Sequence, residues 1–151
     1  MDGLGLVGRI SGVGNNTARV VLLTDTSSRV PVTIQPSGQR ALLIGDNTAA
    51  PFVDFIEAPE TIRPGDRVMT SGDGSVFPAG LLVGQVAQDP GGRMRVRLSA
   101  DYERLEFLRV LRSYSNEKLD QPGRLIAPEE LPDSSGHPAP ENMIPSEAGN
   151  G

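Results

Sequence analysis

Residues 6–25 read LVGRISGVGNNTARVVLLTD and residues 82–101 read LVGQVAQDPGGRMRVRLSAD, and the two lie over each other without a gap at an offset of 76 positions. Seven of the twenty positions are identical: Leu6 and Leu82, Val7 and Val83, Gly8 and Gly84, Arg19 and Arg95, Val20 and Val96, Leu22 and Leu98, Asp25 and Asp101. Each copy is a short apolar run, a turn rich in Gly, Asn or Pro, and a second run with β-branched residues, which is the pattern of a β-hairpin. An echo at a fixed offset points to two related β units. The segment IRPGDRVMTSGDGSVFPAG leads into the second copy, whereas only Met1 to Gly5 precede the first. The first unit is therefore expected to lack its opening, or to differ from the second.

Outside the echo the same texture continues. Apolar runs at RVPVTI, RALLIG, PFVDFIE, DRVMTS and EFLRVL arrive every 10 to 12 residues or so, separated by Gly, Pro, Asn, Asp and Ser, as in sandwiches and small barrels. No segment before residue 101 carries a helical apolar stripe. Strands of about five or six residues suit small closed barrels, and two barrels sharing a seam leave few free edges. The expected fold is all-β: two small related β-barrels packed together, with a disordered C-terminal tail. The units are expected at 1–50, incomplete at the N-terminus, and at 51–112, followed by a Pro-rich acidic tail over 113–151.

The charge divides along the same line. Residues 1–112 hold twelve Arg against twelve Asp or Glu, while 113–151 hold Lys118 and Arg124 against seven acids, so the net charge of −5 belongs to the tail. That tail has six of the thirteen prolines and few large apolar residues, too little to offset the entropy of ordering it. The chain has no cysteine, which excludes disulfides, thiolate zinc sites and cysteine nucleophiles. Its one histidine, His137, sits in the tail. No run approaches the roughly 20 apolar residues of a membrane helix, and no signal-peptide pattern follows Met1.

The motifs that hint at chemistry lack their context. Gly3, Gly5 and Gly8 match GxGxxG, but a dinucleotide fingerprint needs a strand before it and a helix after it, and RISGV is strand-like. Asp66, Asp73 and Asp89 fall in turns, and SGDGS at 71–75 lacks the alternating acids of a calcium loop. Catalytic, cofactor and metal residues are accordingly expected to be none. Arg93, Arg95 and Arg97 alternate and so leave one face of a strand, a stripe that could meet phosphate. With a neutral body and only 4% aromatic residues for base stacking, a solvated or protein-facing patch is the better reading.

The string VGRISGVGNNTARVVLLTD, then RVPVTI, SGQRALLIG and IRPGDRVMTSGDGSVFPAGLLVGQV, closely resembles the periplasmic β region of the MreC family of bacterial rod-shape-determining proteins. The resemblance covers about Gly3 to Leu111. Its most specific pieces are NTARV with LLTD at 16–25 and PGDRVMTSG, VFPAGL and VGQV at 64–86. It implies two six-stranded barrels on the periplasmic side of the inner membrane, held there by an N-terminal helix and a coiled coil that this chain does not include. It further implies a non-enzymatic scaffold of the cell-elongation complex. Such a scaffold self-associates, binds and regulates a class B penicillin-binding transpeptidase, and meets other membrane components of that complex, with no nucleic acid as partner. The alternatives from the residues alone are a small-barrel carbohydrate- or nucleic-acid-binding module and an uncharacterised hydrolase.

The loop SGDGSVFPAGLL at 71–82 is the expected recognition segment. Phe77 is either an inward plug for its own barrel, weighted slightly ahead, or an anchor for a partner. In the anchor reading Val76, Phe77, Pro78 and Leu81 form the partner-binding set. Gly8, Gly72, Gly74, Gly80 and Gly84 are expected at turns or close backbone approaches. Asp101 to Arg104 should turn, and Phe107 to Leu111 should close the body as a strand, with a short helix as competitor.

Overall fold

A computed structural model describes residues 1–112. Strands β1 (Gly8–Val13) and β2 (Ala18–Leu22) form a hairpin. Strands β3 (Arg29–Gln35), β4 (Gln39–Ile44), β5 (Phe52–Asp54), β6 (Arg67–Thr70), β7 (Leu82–Gln88) and β8 (Met94–Leu98) form a closed barrel in the order β3-β4-β5-β8-β7-β6. All neighbours are antiparallel, and pairing of β3 with β6 closes the ring. The only helical turns among the described residues are 3₁₀ segments at Pro59–Thr61 and Asp73–Ser75. The all-β reading and the small-barrel architecture hold.

Period-two alternation builds the core. Val30, Val32 and Ile34 of β3 point inward with Leu43, Val53, Val68 and Val96 from the other strands. These are mostly β-branched side chains, which fit a pleated surface and fill a barrel of short strands. A register shift opposite Val68 and Met69 places Val83 as an extra residue on β7, so that both Val83 and Val86 face inward although three positions apart. Leu6 and Leu23, at the base of the hairpin, join the same core.

The sequence echo is an echo of register. Gly8 pairs with Leu22 as Gly84 pairs with Leu98, and Ile10 pairs with Val20 as Val86 pairs with Val96. The Leu23 N–H donates to the Val7 carbonyl at 3.0 Å, and the Ser99 N–H to the Val83 carbonyl at 2.9 Å. Past each hairpin the Asp25 carboxylate accepts the Ser27 N–H, and the Asp101 carboxylate accepts the Glu103 N–H. A Cβ on Gly8 would meet the Val21 carbonyl, and one on Gly84 the Arg97 carbonyl, so glycine is required at the same point of both units. The hairpins differ only near their tips. A bulge at Ser11 takes up one residue of β1, and the turn that follows is one residue shorter than the turn from Asp89 to Arg93, so the offset of 76 survives.

Two expectations are corrected. A boundary between residues 50 and 51 would cut the barrel, because β3 and β4 lie before it and close with β5 to β8. The deciding contact is long-range, Val32 of β3 against Thr70 of β6, and local spacing carries no trace of it. Among the described residues, the hairpin β1–β2 precedes the barrel. Secondly, Asp101 to Arg104 does turn, but 107–111 forms no strand. One reciprocal pair of backbone hydrogen bonds joins Arg109 to Met1, at 2.8 and 3.0 Å, and no ladder extends from it. The disordered tail expected at 113–151 lies outside the described residues.

Candidate functional site

The loop from Ser71 to Leu81 is fixed by Thr70, whose buried hydroxyl donates to the Pro78 carbonyl at 2.6 Å and accepts the Leu81 N–H at 2.9 Å. Gly72, Gly74 and Gly80 take φ of 84°, 75° and 83°, which lets so short a segment fold back on Thr70. The consequence falls on Phe77, which is 7% exposed and part of the barrel core. Its ring packs inward as the plug while still reaching the groove described below. Val76 and Pro78 are exposed, and Leu81 is half-buried against the core.

These four residues meet in one groove of about 330 Å³ between the loop, the hairpin and residues 108–111. Its apolar wall includes Ile10 and Val20, the register equivalents of the core pair Val86 and Val96. The groove thus exposes the side of the hairpin that, in the closed barrel, is the inside. The hairpin is seated by the Leu6 N–H on the Leu82 carbonyl at 2.8 Å, and by the Tyr102 hydroxyl on the Val7 carbonyl at 2.7 Å. The Asp2 carboxylate adds a third tie by accepting the Asp101 N–H at 2.9 Å.

Several charged residues hold turns. Arg95 donates to Asp46 at 2.8 Å, to Asp89 at 3.2 Å and to the Ala50 carbonyl at 2.9 Å, clamping the connection before β5 to the turn before β8. Arg93 stacks over the Phe52 ring with its guanidinium carbon 4.6 Å from the centroid. Two arginines of the expected basic stripe are therefore engaged within the barrel. Burial works to raise the Asp46 carboxyl, but bonds from Thr48 and Arg95 outweigh it and hold the group below its ordinary range. The Arg93 N–H, followed by Arg95, does the same for Asp89. Carboxyls held ionised in this way are poor proton donors at neutral pH. Among the described residues no three His, Cys, Asp or Glu side chains gather as a metal site requires.

One exposed residue was not singled out from the sequence. Phe55 follows β5, is 71% exposed and has a φ of 59°. In the string PFVDFIE it reads as the next inward position after Val53, and only the left-handed turn at 55 breaks that alternation.

Comparison with known proteins bears on the whole described body. The family model for "Rod shape-determining protein MreC, barrel core" matches residues 1–112. The cell shape-determining protein MreC of Cereibacter sphaeroides is 70% identical over 127 residues, covering 84% of this chain and 42% of that relative. The crystal structure of MreC from Pseudomonas aeruginosa superposes with a TM-score of 0.61 at 33% identity, covering 69% of this chain and 72% of the other. A structure described as the major periplasmic domain from the cell shape-determining filament MreC gives a TM-score of 0.54 at 32% identity, over 66% and 67% of the two chains. This chain spans less than half the length of the curated relatives it matches.

Proposed function

Because this chain belongs to the MreC family of rod shape-determining proteins, we propose that it serves in cell-shape determination as the barrel core of a non-enzymatic scaffold on the periplasmic side of the inner membrane. In this reading it binds and regulates a class B penicillin-binding transpeptidase, and it associates with further copies of itself. The observation that carries the proposal is the match of the family's barrel core across residues 1–112, the same stretch that holds the closed barrel and its register-equivalent hairpin. The solved relative described as a periplasmic domain of a filament supports both the compartment and the self-association.

The test is a titration of the chain against the purified transpeptidase domain of its own organism. Saturable binding in the micromolar range or tighter, with no change in the chain's covalent state, is the expected result. Absence of binding at about 100 μM would remove the transpeptidase from the proposal.

A further inference from the structure

Between Arg29 and Leu98 two large apolar side chains are exposed, Val76 and Phe55. Val76 lines the groove beside the hairpin, whereas Phe55 lines neither that groove nor the core. Phe55 leaves β5 in left-handed backbone, its N–H donating to the Asp54 carboxylate at 2.8 Å. A bulky residue is disfavoured there, and Asn or Gly would suit the bend better. The barrel's own folding therefore gives no reason for a phenyl ring at this point.

Along the chain, the segment that carries the ring has one sign of charge, while Arg93 of the neighbouring β8 side stands over Phe52. From Gly45 to Ile62 the chain has Asp46, Asp54, Glu57 and Glu60 and no Lys or Arg. Asp46 is taken by Arg95, while Asp54, Glu57 and Glu60 are exposed and in no ion pair among the described residues. Arg40, two residues before the β4 partner of Asp54, pairs instead with Asp73 at 3.7 Å. An exposed aromatic within a charged rim is the composition of an interface hot spot.

We infer that Phe55 anchors a protein-binding surface on the outer face of the barrel, and that its partner offers an apolar pocket bordered by Lys or Arg side chains. The inference rests on the scaffold reading and takes the transpeptidase as that partner. The ring supplies the affinity, and the carboxylates at 54, 57 and 60 speed encounter with the basic border.

The experiment measures binding of the full chain to the transpeptidase domain for the wild type, Phe55→Asn, Phe55→Tyr and the double variant Glu57→Gln with Glu60→Gln. The expected result is a loss of at least about tenfold for Phe55→Asn with an unchanged or raised Tm, and binding within about threefold of wild type for Phe55→Tyr. The double variant should lower the association rate about threefold or more at low salt. Phe55→Asn binding within threefold of wild type, or a Tm lowered by more than about 5 °C, would overturn the anchor and leave the scaffold reading intact. An unchanged association rate in the double variant would overturn the basic border. Failure of the wild type itself to bind would overturn the scaffold's choice of partner and this surface with it.

Discussion

Ile10 on β1 and Val86 on β7 hold the same place in two hairpins of matching register, yet Ile10 is 41% exposed and Val86 is 4% exposed. The difference lies in the surroundings, since β7 and β8 are closed into a ring by four further strands while, among the described residues, β1 and β2 pair only with each other. Local sequence makes the hairpin; closure makes the core.

Equivalent substitutions should therefore have unequal effects. Val86→Ala is expected to destabilise the chain by about 2 kcal/mol through lost burial and a residual cavity. Ile10→Ala should cost less than about 1 kcal/mol, because its side chain is already largely in water. Urea unfolding of both variants checks this, and equal losses would mean that the hairpin face is as well packed as the barrel.

Phe77 and Val76 are neighbours with opposite roles. Phe77→Ala should cost about 3–5 kcal/mol, as truncation of a buried ring does, while Val76→Ala should stay within about 0.5 kcal/mol of wild type. Thermal and urea unfolding read both. A nearly unchanged Tm for Phe77→Ala would return the ring to the surface.

Much of this was legible in the sequence. The strands fall where apolar runs meet Gly, Pro and Asp, and the echo between 6–25 and 82–101 corresponds to a shared hairpin register. Three things were not legible, each because the deciding interaction is not local. The pairing of β3 with β6 joins Val32 to Thr70 across 38 positions, so local spacing alone extends the first unit too far. The direction of Phe77 depends on Thr70 holding the loop at Pro78 and Leu81, which a Gly-rich string does not reveal. Residues 107–111 have strand composition but no neighbouring strand to pair with among the described residues. The exposure of Phe55 is hidden for the opposite reason: by pattern the residue alternates with Val53 as an inward position, and one backbone angle, a φ of 59°, turns it out.

Stability should depend on pH at both extremes. Asp25 lies below the ordinary value of 3.8 through its bonds from the Ser27 hydroxyl and N–H, and Asp89 through the Arg93 N–H. Asp2 and Asp46 do so although burial opposes it, the first through the N–H groups of Asp101, Gly5 and Leu4, the second through Thr48 and Arg95. A carboxyl with a lowered folded value contributes stability that is complete above its unfolded value and lost as pH falls through the folded one. Stability should hold at neutral pH and decline below about pH 4. Tyr102 behaves in reverse: burial raises it above 10.0, so its contribution is full below that pH and lost above it as the unfolded chain ionises. Equilibrium unfolding across pH tests this, with Asp46→Asn expected to weaken the acid limb and Tyr102→Phe the alkaline one.

The most direct test of the scaffold account replaces the matched segment of the Cereibacter sphaeroides relative with residues 1–112 of this chain, in cells whose own copy has been removed. If these residues are an interchangeable barrel core of the shape-determining scaffold, cells carrying the chimera should keep the length-to-width ratio of the wild type. Rounded, widened cells with the chimera present at normal abundance would contradict it.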